Sequence, residues 1–149
     1  MRKVIFLFCL TLLLSCKSKA PKNTMVLVKP EEVEIVKQNR ATDIGKRLLE
    51  SCNTSHFKAF SPTEATDKVR QNATKDNIAT ICKKINQRNG RFIGLNLIDV
   101  TLNKLTDEYI FHYSINYEKK LYKRELNVTV NKENKVSAIA TKEVKPKPL

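Results

Sequence analysis

The spacing of apolar residues divides the chain into a first half typical of helices and a second half typical of strands. Before about residue 92 the apolar residues recur at every third or fourth position, which is the period of an amphipathic helix. From Phe92 onward apolar and polar residues alternate, as they do in a strand with one buried face. A run of helices followed by a run of strands predicts an α+β domain.

Three helices are expected before the sheet. The first is predicted over 41–60, and its apolar stripe consists of Ile44, Leu48, Leu49 and Cys52. The second should start at Ser61-Pro62-Thr63-Glu64, because Ser and Glu at this spacing form a capping box and Pro suits the first helical position. Thr74 can cap the third helix, which should end at Asn89-Gly90. The stripe of this third helix is Ile78, Ile81, Cys82 and Ile85.

Four strands are expected after the helices, over 95–105, 108–118, 121–131 and 135–144. The links between them have only two or three residues, so neighbouring strands must be antiparallel. One face of such a sheet packs on helices and the other meets water. The predicted fold is therefore N-terminal helices packed on a four-stranded antiparallel meander sheet.

Three short segments resemble small exported domains of the cystatin-like and nuclear transport factor 2-like superfamily. They are Ser55-His56-Phe57-Lys58-Ala59-Phe60, Thr74-Lys75-Asp76-Asn77-Ile78 and Gly90-Arg91-Phe92. In that superfamily a helical hairpin leads through a turn of glycine and an aromatic residue into a curved sheet. The resemblance covers residues 41–144 and implies a pocket between helices and sheet, used by some members for catalysis and by many only for binding. It implies no particular reaction.

The start of the chain has the pattern of an export signal. Arg2 and Lys3 precede an apolar run over 4–14 that contains no charge. The run is roughly half of the ~20 residues that a membrane-spanning helix needs, and its proportions are those of a secretory signal peptide. Its ending, Leu13-Leu14-Ser15-Cys16, resembles the lipobox of bacterial lipoproteins. The resemblance implies that Cys16 is lipidated and becomes the first residue of the mature protein.

These patterns predict how the chain is organised: a lipoprotein signal peptide over 1–15, a tether over 16–40, a domain over 41–145 and a tail over 146–149. Within the tether, the apolar residues of 26–28 and 33–36 could contact the domain or start an early strand or helix, and the pattern leaves this open. The predicted location is the bacterial cell envelope, with a palmitate-type lipid anchor in the membrane. Lipoproteins that reach the outer surface tend to carry acidic residues after the cysteine, whereas this chain has Lys17-Ser18-Lys19. We therefore expect the outer membrane, on its periplasmic side.

The chain is strongly basic, with a net charge of +13 that falls to +11 when Arg2 and Lys3 leave with the signal peptide. The excess is spread along the chain with no single block. It includes residues at the predicted second hairpin that could attract an anionic partner: Lys119, Lys120, Lys123 and Arg124. For an exported protein the accessible polyanions are glycolipids and cell-wall polymers, so nucleic acid is not an expected partner. The plainer interpretation is that the lysines keep a tethered domain soluble.

Cys52 and Cys82 remain after Cys9 leaves with the signal peptide and Cys16 is assigned to the anchor. Both lie on apolar helical stripes. In an oxidising compartment they can form a disulfide that joins the first helix to the third. They can equally be two buried thiols that pack as small apolar groups. The pattern leaves both interpretations open.

Candidate site residues are few. The best pocket candidate is an aromatic row on one face of the predicted second strand, Tyr109, Phe111, Tyr113 and Tyr117, although such a row is more often core. Asp99, Asp107 and Glu108 border strands and could act as acids, but they also suit turns and edges. His56 and His112 lie on different elements without metal-ligand spacing. We expect no metal and no cofactor.

The sequence thus favours a non-enzymatic binding or accessory module tethered to the membrane. Its expected partner is another envelope protein or an anionic glycolipid. The alternative is an enzyme that uses a polar pocket between helices and sheet. No nucleophile elbow or phosphate-binding loop favours it.

Overall fold

The computed structural model describes residues 24–120 and 122–144. It confirms the α+β class. The elements in chain order are β1 (Met25–Val28), a 3-10 helix (Pro30–Glu32), α1 (Ile35–Thr54), α2 (Asp67–Asn72), α3 (Lys75–Asn89), β2 (Phe92–Asn103), β3 (Glu108–Tyr117), β4 (Lys123–Val130) and β5 (Val136–Val144). The predicted signal peptide, Cys16 and the tail over 146–149 lie outside the described residues.

The sheet has five strands, one more than the four predicted. Its order is β1-β2-β3-β4-β5, and every neighbouring pair is antiparallel. The additional strand, β1, pairs with β2 from Met25 opposite Asn103 to Val28 opposite Val100. Four residues are too few to form a strand alone, so β1 depends on the backbone groups that β2 offers. The range predicted as a tether, 16–40, therefore contains a strand of the domain.

Helix α1 spans Ile35–Thr54, so both of its ends lie earlier in the chain than those of the predicted range, 41–60. Its first turn is held by contacts to residues before it: Gln38 Nε2 donates to the carbonyls of Pro30 at 2.7 Å and Val33 at 2.9 Å. Its end is set by Ser55, which has the left-handed conformation with a φ of 54°. That conformation stops a helix, so the residues before Phe60 form a loop.

The segment Ser61-Pro62-Thr63-Glu64 forms a turn and not the predicted helix start. Half of the capping box is present, because the backbone N–H of Ser61 donates to Glu64 Oε2 at 2.8 Å. The chain then pairs with β5: the N–H of Thr66 donates to the carbonyl of Val136, and the N–H of Val136 donates to the carbonyl of Glu64. This pairing delays the start of α2 to Asp67.

Helix α3 and the four predicted strands lie within a few residues of their expected bounds. Thr74 Oγ1 accepts a hydrogen bond from the N–H of Asn77, which caps α3 as expected. Gly90 follows the helix with a φ of 74°, a left-handed conformation that glycine adopts without strain. The change of period at Phe92 coincides with the start of β2.

The core lies between α1 and the sheet. Helix α1 packs mainly on β2 and β4, and it approaches closely at Gly45, where a Cβ atom would lie 2.9 Å from Leu126 Cδ2. The fully buried side chains at this interface are Ala41, Ile44, Val100, Phe111, Leu126, Val128, Val130 and Val136. Within residues 24–120 and 122–144, no helix is both long and apolar enough to span a membrane.

Candidate functional site: an apolar groove beside the fifth strand

The aromatic row of β3 lies in the hydrophobic core, as the plainer interpretation of it held. Phe111 is fully buried, and the exposed fractions of Tyr113 and Tyr117 are 3% and 6%. Tyr113 Oη lies 3.1 Å from Thr42 Oγ1 on α1, and the Tyr109 ring packs beneath the Lys37 ammonium. These contacts fill the space between α1 and β3.

Burial also affects the chemistry of the two tyrosines deepest in the row. It raises the pKa of Tyr113 and raises the pKa of Tyr117 to about 12, because the phenolate would lose its hydration. A tyrosine that acts as a base or nucleophile needs a lowered pKa. The raised pKa values therefore make these two tyrosines unsuited to act as a base or nucleophile.

A groove lies beside the core, between the three helices and β5. Its volume is about 340 Å³, at the lower end of the ~300–1,000 Å³ typical of small-molecule sites. Its lining is mostly apolar and includes Leu48, Val69, Ile78, Ile81, Ile85 and Ile139. Ile81 is 49% exposed at this site. The surface is therefore open to a ligand from solvent.

The groove follows from how the helices are placed on the sheet. Helix α1 covers β2 and β4, α2 packs on β5, and α3 packs mainly on α1. Among the residues that the structure describes, β5 is the last strand of the sheet, and no further strand supports a helix beyond it. Ile139 points to the helical side, as does its partner Val128. The space between this side of β5 and the apolar stripe of α3 is left unfilled.

The polar groups of the groove are few. Lys68 on α2 is the one charged residue among the described residues that line it, and it is exposed. Ser137 on β5 contributes a buried hydroxyl that has no hydrogen-bond partner among the described residues. An apolar surface with one cation at its margin is suited to binding and offers no acid–base pair.

A second cavity, of about 280 Å³, lies on the other side of α3. Lys75 and Lys83 are its charged lining residues, and it contains no carboxylate. It shares Cys52, Ile78 and Cys82 with the groove. These three residues therefore form a wall between the two spaces.

The structure joins Cys52 on α1 to Cys82 on α3 in a disulfide, with their Cα atoms 4.8 Å apart. Both cysteines are 7% exposed. Beside them Asn86 Nδ2 on α3 donates to the carbonyl of Cys52 at 2.7 Å. These two links hold α3 to α1 and so set the width of the groove.

A row of charged side chains crosses the opposite, outer face of the sheet. His112 Nε2 donates to Glu125 Oε2 at 2.8 Å, and His112 Nδ1 lies 3.5 Å from Asp99 Oδ2. Lys142 Nζ lies 2.9 Å from the same Glu125 oxygen. Lys142 and His112 lower the pKa of Glu125. Strand register brings these four residues together, and no sequence pattern had linked Glu125 and Lys142 to His112.

This charged row does not form a metal site. The two ring nitrogens of His112 face different carboxylates on opposite sides, so the three side chains share no common point. No group of three or more His, Cys, Asp or Glu residues suited to a metal occurs within 24–120 and 122–144. The remaining candidate residues lie at the ends of elements or between them. His56 is exposed after α1, Asp107 lies in the β2–β3 turn with a φ of 55°, and Glu108 is the first residue of β3.

The basic group at the second hairpin is partly engaged in contacts within the protein. Arg124 donates from Nη2 to Thr141 Oγ1 at 3.2 Å, and its Nη1 lies 3.8 Å from Glu143 Oε2. Lys119 Nζ donates to the carbonyl of Gln87. Lys120 and Lys123 are exposed. This hairpin is therefore a weaker candidate for an anion site than the sequence had indicated.

Comparison of the chain with protein-family models, curated proteins and solved structures found no match. The geometry of the groove is therefore the basis for a functional proposal. The family resemblance implied a pocket between helices and sheet, and the residues pointed to the aromatic row of β3, whereas the groove lies beside β5. Sequence reasoning identified the α3 stripe that forms one wall, and Ile81 of that stripe is 49% exposed in the structure.

Proposed function

We propose that this protein is a non-enzymatic binding module of the bacterial envelope, and that the groove beside β5 is its binding surface. The observation that carries the proposal is the open, mostly apolar space of about 340 Å³, where Lys68 is the single charged lining residue in the part of the chain that the structure describes. Ligand sites are typically apolar with a few placed polar groups.

The proposal includes a lipid anchor at Cys16, supported by the N-terminal sequence pattern. An anchor would place the domain at a membrane surface, facing the periplasm from the outer membrane, where its partners would be envelope proteins or anionic glycolipids. Several acyl chains on one cysteine hold a protein firmly, because each buried methylene contributes about 0.8 kcal/mol. A Cys16→Ala variant should incorporate no labelled palmitate and should keep its signal peptide. Normal maturation of that variant would contradict the anchor.

The binding surface can be tested with the neutral dye Nile red, whose fluorescence rises in apolar surroundings. Ile81→Asn places a polar group in the groove and should abolish the groove-dependent signal of the full chain. Ile98→Asn is the matched control, because Ile98 on β2 is also 49% exposed and does not line the groove. Equal dye binding by the two variants would contradict a groove-based function.

The alternative of an enzyme is supported by the position of His112 between two carboxylates. Against it, these groups lie on the open outer face of the sheet and already satisfy one another, with Lys142 holding Glu125. The nearby Ser114 hydroxyl donates to the carbonyl of Asn96 and not to His112. None of these side chains lines either cavity described above. Binding is therefore the function that the geometry favours.

A further inference from the structure

We infer that the groove takes the single acyl chain of an anionic amphiphile, such as a fatty acid or a single-chain phospholipid, with its headgroup beside Lys68. This inference rests on the proposed function, because it names the class of ligand that the binding surface accepts. It is carried by three features of the groove: its capacity, the apolar character of its walls and the sign of the charge around it.

The capacity of the groove fits one chain. Its volume of about 340 Å³ is near the lower limit for small-molecule sites, which run from ~300 to ~1,000 Å³. A bilayer lipid with two chains and a large headgroup would need a space toward the upper end of that range. The cavity on the far side of α3 cannot extend the space, because the Cys52–Cys82 disulfide separates the two.

The walls favour a hydrocarbon chain over a peptide. Apolar side chains of α3, including Ile81 and Ile85, face Ile139 of β5 across the groove. A bound peptide would bring backbone N–H and carbonyl groups that each require a hydrogen-bond partner. The edge of β5 could provide such hydrogen-bond partners, but part of it is already hydrogen-bonded, since Val136 at the start of β5 pairs with the segment before α2. An acyl chain brings no such requirement.

The charge around the groove favours an anionic headgroup. Lys68 is the charged lining residue of the groove, and Lys75 and Lys83 are those of the neighbouring cavity. Among the residues of 24–120 and 122–144, no Asp or Glu lines either space. The flexible stem of a lysine can lie along apolar surface while its ammonium stays in water. Lys68 can therefore meet a carboxylate or phosphate at the mouth while the chain is buried.

The test displaces Nile red from the full chain with three probes that share one hydrocarbon chain: laurate, lauryl alcohol and lauryl trimethylammonium. All are used below the concentrations at which they form micelles. We expect laurate to bind about 2- to 5-fold more tightly than the alcohol, the range of an exposed ion pair, and the cation to bind most weakly. Added salt should reduce the advantage of laurate.

Variants of the full chain assign the effect to residues. Lys68→Gln should remove the preference for laurate over the alcohol, whereas Lys104→Gln, an exposed lysine in the β2–β3 turn, should keep it. Ile81→Asn should weaken the binding of all three probes, and Ile98→Asn should not. Thermal unfolding of each variant separates loss of binding from loss of folding, and a mildly destabilised variant is assayed well below its melting temperature.

The results separate the inference from the function on which it rests. Equal affinity for laurate and the alcohol, or a laurate preference that survives Lys68→Gln, would overturn the assignment of an anionic headgroup and leave the groove as a binding surface. If dye binding depends on Ile81 but none of the three probes displaces the dye, an acyl chain is excluded as the ligand and a peptide is indicated. Dye binding independent of Ile81 would overturn both proposals.

Discussion

Replacing Tyr113 by alanine tests whether the aromatic row of β3 is core or binding site. The side chain is 3% exposed and its ring lies between α1 and the sheet. Removing a large buried side chain costs about 3–5 kcal/mol of unfolding free energy, because the apolar contacts are lost and a cavity remains. Its surroundings cannot collapse easily, since neighbours such as Phe111 and Leu126 are fully buried. We therefore expect the upper part of that range.

Tyr113→Phe is the matched control, because it keeps the ring and removes only the hydroxyl that contacts Thr42. A single hydrogen bond contributes about 0.5–1.5 kcal/mol. For a domain of this size each kcal/mol moves the melting temperature by about 4 °C, so a loss in the upper part of that range, about 4–5 kcal/mol, should lower the melting temperature of the alanine variant by roughly 16–20 °C. The phenylalanine variant should melt only a few degrees below it. Urea unfolding followed by circular dichroism gives the free energies directly.

The refuting result is specific. If Tyr113→Ala loses less than about 1 kcal/mol while Nile red or laurate binding falls, the row faces a cavity and the groove beside β5 is not the binding site. If stability falls as expected and the folded variant still binds laurate, the row is core and the groove is independent of it.

Three further predictions concern the links between elements. The Cys52→Ala/Cys82→Ala double variant should lose about 3.6 kcal/mol of unfolding free energy, which is the loop-closure value for a separation of 30 residues. Mass spectrometry of the alkylated, non-reduced parent should find neither thiol free. Two alkylated thiols would contradict the bond. Glu64 has a pKa lowered to about 2, chiefly by its bond to Arg47. The stabilisation that this lowered pKa provides is present above about pH 4.5 and is lost as the pH falls toward 2. Urea midpoints of Glu64→Gln should therefore decline less than those of the parent across this window, and parallel curves would refute the assignment. Gly45→Val should lower the unfolding free energy by about 1–3 kcal/mol, because the added side chain overpacks the core. Gly94→Val is the control and should cause no such loss, since a Cβ atom at Gly94 would meet nothing within 4 Å.

Local sequence determined most of the secondary structure. The alternation after Phe92 predicted β2 to β5 within a few residues, because the side chains of a strand with one buried face must alternate. Thr74 and Gly90 predicted the two ends of α3, since a cap hydroxyl and a left-handed glycine act over only a few neighbouring residues. The stripes of α1 and α3 also placed Cys52 and Cys82 on faces that a disulfide could join.

Where distant backbone groups compete for partners, the local signals were overruled. The pattern around Val26 left a strand, a helix or a simple contact with the domain open, and the row of backbone partners on β2 makes this segment a strand. Ser61 and Glu64 carry a strong helix-start signal, yet the pairing of Thr66 with Val136 holds this segment in a turn. Sequence reasoning cannot weigh such pairings, because the partners are about seventy residues apart and only the folded chain brings them together.

The sequence by itself determined the composition of the groove walls, the cysteine pair and the N-terminal pattern from which a lipid anchor at Cys16 is proposed. Tertiary structure decided which apolar side chains were left uncovered. The stripe of α3 would be ordinary core if a further strand extended the sheet beneath it. Because β5 is the last strand and α1 lies over β2 and β4, Ile81 and Ile139 instead face an open space. A groove depends on packing between elements, and the spacing of residues within one element does not encode it.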